Sequence, residues 1–89
     1  MLRLGKFTLK NIKMIATHKI EELTFDNNYM FLKVDGKTLM IPLKKASKKL
    51  LEADDIQKGI YKISASGYGI HWPLIDEDLS VDNLIKIAE

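Results

Sequence analysis

From Ile20 to Pro42 apolar and polar residues alternate with a period of two, the spacing of a strand with one face buried. Leu23 and Phe25 alternate with Glu22, Thr24 and Asp26, and Asn27–Asn28 follow as turn residues that tolerate positive φ. Tyr29 to Val34 places Met30, Leu32 and Val34 on one face and Tyr29, Phe31 and Lys33 on the other. Asp35–Gly36 predicts a type I′ hairpin, which needs positive φ at both central positions. The chain returns along Lys37 to Ile41 with Leu39 and Ile41 inward, and Pro42, without an amide hydrogen, ends the ladder. A three-stranded antiparallel meander is the expectation.

After Pro42 the period changes. Leu43, Ala46 or Ser47, Leu50 and Leu51 recur at helical spacing, with Lys44, Lys45, Lys48 and Lys49 opposite. One amphipathic helix from Leu43 to Ala53 is predicted over a face of the sheet, with Asp54–Asp55 and Gly59 marking the way out. Ile60 to Ala65 alternates again as a fourth strand, Gly67 and Gly69 punctuate a tight turn, and Ile70 to Trp72 reads as a fifth. Ser80 is placed to cap a last helix, Val81 to Ala88, with Val81, Leu84, Ile85 and Ala88 as its apolar stripe. The fold class predicted is α+β: a small antiparallel sheet, the meander plus one or two further strands, with two short helices.

The first nineteen residues fit neither period, despite Phe7, Leu9, Ile12, Met14 and Ile15. They are read as a basic N-terminal extension or a first strand within Thr8 to Thr17, and residues 20–89 as a single domain. The 89-residue length is too short for a second core.

Composition narrows the class. Apolar residues at 46% and charged residues at 29% are ordinary for a globular chain, and the absence of cysteine excludes disulfides and thiolate metal sites. No apolar run reaches the roughly 20 residues that span a bilayer, and Lys6, Lys10 and Lys13 interrupt any secretory signal core, so a cytoplasmic location is expected. Net charge is +2, but Arg3, Lys6, Lys10, Lys13 and Lys19 sit on a stretch with no acid. That segment could meet nucleic acid; pairing with the acidic C-terminal part is the simpler reading, because five dispersed charges make a thin footprint.

Candidate chemistry concentrates in GYGIHWPLIDEDLSVD, Gly67 to Asp82. His71 beside Trp72 could serve as a general base or stack on a ligand, yet a core indole with a hydrogen-bonded neighbour explains the pair as well. The other histidine, His18, is remote in sequence. Asp76, Glu77 and Asp78 lack the alternate spacing and glycine of a calcium loop, so an acidic loop facing a basic partner is favoured over a cation site. Gly67-Tyr68-Gly69 lacks the spacing of a phosphate loop, and none of Ser47, Ser64, Ser66 and Ser80 sits in a nucleophile elbow. The lysines at 44, 45, 48 and 49 read as a solvated helix face, not interleaved with Tyr61, Tyr68 and Trp72 as in an RNA-binding module. No catalytic residue, cofactor or metal site is assigned.

From about Ile20 onward the chain resembles the bacterial domain-of-unknown-function family 2442. The likeness rests on Asp35-Gly36, on Ile41-Pro42-Leu43, on Gly69 to Pro73 and on Asp76 to Ser80. It departs from that pattern at Lys44-Lys45-Ala46, where the family often has an aromatic-proline step; Met14 falls near where many members begin. The resemblance implies a compact α+β domain without established catalysis, antitoxin-like, and often paired in bacterial genomes with family 4160 of the same kind. Some members carry an appended helix-turn-helix, for which this chain, ending at Glu89, is expected to leave no room. The expected function is thus a non-enzymatic protein-binding module, the antitoxin-like half of a two-gene unit, with Tyr68, His71, Trp72, Asp76, Glu77 and Asp78 as its contact surface. A homodimer through an exposed strand edge fits as well. The alternatives are a nucleic-acid-binding regulator using Lys6, Lys10, Lys13 and the lysine helix, and, more weakly, an enzyme using His71 with Asp76 or Asp78.

Overall fold

A computed structural model describes residues 17–89. The strand expected within Thr8 to Thr17 and the basic side chains at 3, 6, 10 and 13 therefore lie outside the described residues. The meander forms as the alternation predicts: β1 (Ile20–Phe25), β2 (Tyr29–Val34) and β3 (Lys37–Pro42) make an antiparallel sheet in that order. Met30, Leu32 and Val34 point into the core from the central strand. Asp35 and Gly36 take φ of 52° and 83°, the left-handed pair of a type I′ turn. The first turn works differently from expectation. Neither Asn27 nor Asn28 has positive φ; instead the Asp26 carboxylate accepts the Asn28 and Tyr29 amides at 2.9 and 2.7 Å and closes the bend from its side chain.

The single helix predicted from Leu43 to Ala53 is two, α1 (Leu43–Ala46) and α2 (Lys48–Glu52). Ser47 separates them with extended backbone, φ −165° and ψ 113°. Its buried hydroxyl accepts the Leu50 amide at 3.1 Å, capping α2, and donates to Glu77 Oε2 at 2.5 Å. One serine thereby ends one helix, begins the next and ties both to a distant strand. Asp54 and Asp55 do not lead out of the helices but open a third, α3 (Asp55–Gly59), started by a capping box between Asp54 and Gln57.

The remaining strands do not extend the meander. They make a second antiparallel sheet in chain order: β4 (Lys62–Ile63), β5 (Gly69–Trp72) and β6 (Glu77–Ser80). β4 is shorter than the alternation implied, and β6 occupies residues read as an acidic loop. α4 (Val81–Ala88) starts where expected, with Ser80 Oγ accepting the Asn83 amide at 3.1 Å. It packs on β3 and so joins the two sheets. The fold is α+β, with two small sheets and four short helices among the described residues.

Both sheets drain into one core. Met30, Leu32, Ile41, Leu43 and Leu50 from the first half meet Ile70, Trp72, Val81 and Leu84 from the second. Trp72 is fully buried; its indole N–H donates to the Lys58 carbonyl at 3.1 Å, leaving no polar atom unpaired. Phe25 lies edge-on to it at 6.4 Å, and Tyr61 leans on it at 6.2 Å. Lys58 is buried as well, its ammonium 5.8 Å from the Phe25 ring centroid.

Replacing Ser47 by Ala removes the α2 cap and the bond to Glu77 together. The expected cost is about 1–2 kcal/mol, read as a lower urea midpoint at unchanged slope.

Candidate functional site

β5 sends successive side chains to opposite faces, so Ile70 and Trp72 enter the core while His71 faces outward. The register sets His71 between Lys62 on β4 and Asp78 on β6. This outer face, with the turn that leads into β5, forms a shallow groove of about 760 Å³. Tyr68 and Ile63 supply its exposed apolar surface, at 53% and 38% exposure, around His71, Asp78, Lys62 and Asp82.

His71 Nδ1 lies 2.7 Å from Asp78 Oδ1, a pairing that fixes the ring and leaves Nε2 for another partner. The geometry is that of a base with an orienting acid, and it brings together two of the residues singled out for the enzymatic reading. Asp76, the other acid considered there, is not hydrogen-bonded to His71. The surroundings do not complete such a site. The dyad is open to water, its side chains 40% and 76% exposed. Both groove serines already accept backbone amides: Ser64 Oγ takes those of Tyr68 and Gly69, each at 3.0 Å, and Ser80 caps α4.

Of the six residues expected to form one contact surface, the groove gathers Tyr68, His71 and Asp78. Trp72 is a correction: with no exposed surface, it can present nothing to a partner. The signal that separates it from His71 was present, since neighbours on a strand cannot share a face. Glu77 turns the other way and is bound to Ser47. Asp76 holds the turn at φ 51°, and its carbonyl accepts Lys49 Nζ at 2.9 Å. Lys44, Lys45, Lys48 and Lys49 are all exposed, as their spacing implied. Among the described residues, no group of three or more His, Asp and Glu side chains is placed to hold a metal ion.

The arrangement that sequence reasoning missed is His18. Its Nδ1 is 2.7 Å from Asp35 Oδ2 in the hairpin turn, and its Nε2 is 2.8 Å from Asp82 Oδ1 on α4. Two carboxylates on two ring nitrogens require two N–H donors, which only the imidazolium has. The hydrogen bond to Asp35, and then that to Asp82, raise the His18 pKa above its ordinary 6.5, against the opposing effect of burial. The same bond, with the Lys19 amide on Asp35 Oδ1 at 2.9 Å, holds the Asp35 carboxyl below its usual range. The backbone joins in: the His18 amide donates to the Ser66 carbonyl at 2.9 Å. This contact explains Gly67. A Cβ there would lie 1.9 Å from the His18 carbonyl oxygen, on a backbone with φ of 73°. No local pattern marks His18, because its partners are 17 and 64 residues away.

Residues 20–89 match the family described as "Protein of unknown function (DUF2442)". Among solved structures, the chain is similar to a protein of unknown function from Rhodospirillum rubrum ATCC 11170. The two share 27% identity and a TM-score of 0.63 over 83% of this chain and 93% of the other. No curated protein matches the chain. No helix among the described residues is long and apolar enough to cross a membrane.

Three outcomes are expected. Gly67→Ala meets both a backbone clash and an unfavourable φ and should cost about 2–4 kcal/mol. Gly36→Ala meets only the φ, with open space around the new methyl, and should cost about 1 kcal/mol in the same urea titration. His18 has a folded-state pKa above 6.5, so its contribution is complete below that pH and is lost as pH rises through the raised value. Wild type should therefore lose more stability than His18→Gln between pH 6.5 and alkaline pH, as measured by urea unfolding at several pH values.

Proposed function

The chain belongs to the DUF2442 family, and from that premise we propose that it is a non-enzymatic protein-binding module whose contact face is the groove of the second sheet. The observation that carries this reading is the exposure of Tyr68 and Ile63 beside a hydrogen-bonded His71–Asp78 pair. An aromatic with much of its surface in water has no packing role to explain it, and aromatic anchors ringed by polar groups dominate binding energy at interfaces. Asp78 and His71 add polar partners that fix the orientation of whatever docks. The finer reading makes the module the antitoxin-like half of a bacterial two-gene unit, with a small protein of family 4160 as its partner. It is supported by the resemblance carried by Gly69 to Pro73 and Asp76 to Ser80.

A second reading has one observation behind it: Lys44, Lys45 and Lys48 are exposed on the short helices α1 and α2. Such a patch could contact phosphates in a nucleic-acid regulator, and that binding would weaken steeply with salt.

Co-expression with the product of the neighbouring gene, followed by affinity capture, tests the first reading. The partner should be retained by wild type, and Tyr68→Ala should weaken retention about tenfold or more. His71→Ala should weaken it less. Separate elution of the two wild-type proteins, with duplex or single-stranded nucleic acid bound instead at about 50 mM salt, would favour the second reading.

A further inference from the structure

The His18 clasp and the groove share parts. Asp82 both grips the His18 ring and lines the groove, while Tyr68 stands on the turn that His18 holds from behind. That turn is braced by hydrogen bonds at Ser64, Ser66, Gly67 and Tyr68. The Gly67 amide donates to the Ser64 carbonyl at 2.9 Å, and the Ser66 carbonyl accepts the His18 amide. The Tyr68 amide donates to Ser64 Oγ, and its carbonyl accepts the Val81 amide at 2.9 Å. His18 is the piece of this assembly that can change charge near neutral pH. Its side chain is 11% exposed, so little water is available to replace a lost partner.

We propose that His18 is a proton-operated latch on the groove: as the imidazolium it locks the Tyr68 turn and Asp82 in place, and on losing a proton it releases them. The step is one proton leaving a ring nitrogen for solvent. The neutral ring keeps a single N–H, so it can serve Asp35 or Asp82 but not both, and the other carboxylate faces a nitrogen lone pair. Among the described residues, few groups reach the ring. Asp35 comes from the hairpin turn and Asp82 from α4; the Ser64 to Gly67 turn brings no titratable side chain, and Lys19, on the same segment, approaches Asp35 through its backbone. Both carboxylates favour the charged ring, consistent with the upward direction of its titration. Since the clasp holds the turn through the close His18–Gly67 approach, its loosening frees Tyr68, the proposed anchor. The biological consequence rests on the groove being the binding face; the latch itself does not.

The experiment therefore uses the isolated protein. An NMR titration from about pH 6 to pH 9.5 follows the ring nitrogens of His18 and His71 separately, with the amides of Gly67, Tyr68 and Asp82. The range spans the ordinary histidine value near 6.5 and the raised one. The three amides should shift with the His18 midpoint, which lies above 6.5. Asp82→Asn and Asp35→Asn should each move that midpoint down toward about 6.5 and carry the amide shifts with it. His71→Gln should leave them unchanged, and His18→Gln should abolish them. Amides that follow His71, or that stay still while His18 titrates, would overturn the latch and leave the groove's role in binding untouched. Should His18→Gln fail to fold, the two Asn variants give the same answer.

Discussion

Everything in this small domain is arranged around one indole. Trp72 is where the two sheets, the third helix and the aromatic ring of Phe25 converge, and it is wholly removed from water. The two three-stranded sheets share a single core, the economical solution at this chain length. The cost of hiding the indole N–H is met by the Lys58 carbonyl, which α3 delivers as it ends. Placing Trp72 inward leaves His71 no choice but to face out. The groove is in that sense a by-product of the core: its polar row exists because the alternate positions of β5 are committed elsewhere.

Around that centre the chain relies on side chains that bridge distant segments. Ser47 links two helices to β6, and His18 links a hairpin turn to α4. Each has a hydrogen-bonding group shared between a local and a remote partner, or between two remote ones. Such groups order more than one element at a time, and their removal is felt beyond the immediate contact. On the lysine-rich helices, Lys49 makes a link of this kind, its ammonium reaching the Asp76 carbonyl.

How much of this could be read from the residues follows from the range of the interactions. The meander was legible because strict alternation and Asp35–Gly36 are local signals. The last helix was legible through Ser80. β6 was not, since Glu77 to Ser80 carries one apolar residue, Leu79, and its acids mimic a loop. The break at Ser47 was hidden under a helical period that runs unbroken from Leu43 to Leu51; what interrupts it is a bond to Glu77, 30 residues on. The candidate site was half legible. Its identifying motif drew attention to the right segment, but the assignment of one surface to Tyr68, His71, Trp72, Asp76, Glu77 and Asp78 ignored the pleat. His18 could not be found, because nothing near it in sequence shares its role.

The span of the His18–Asp82 bond also orders events in time. The chain between those residues forms nearly the whole domain, and the bond closes a separation of 64 positions. Synthesis delivers His18 64 positions before Asp82, so the clasp cannot form on the ribosome until α4 has emerged. The meander, built from neighbouring segments, can pair well before that, since contacts close in sequence cost less loop entropy. The groove face is consequently assembled after the first sheet, and it is finished only once α4 has brought Asp82 into place. Closure of the clasp follows the docking of α4.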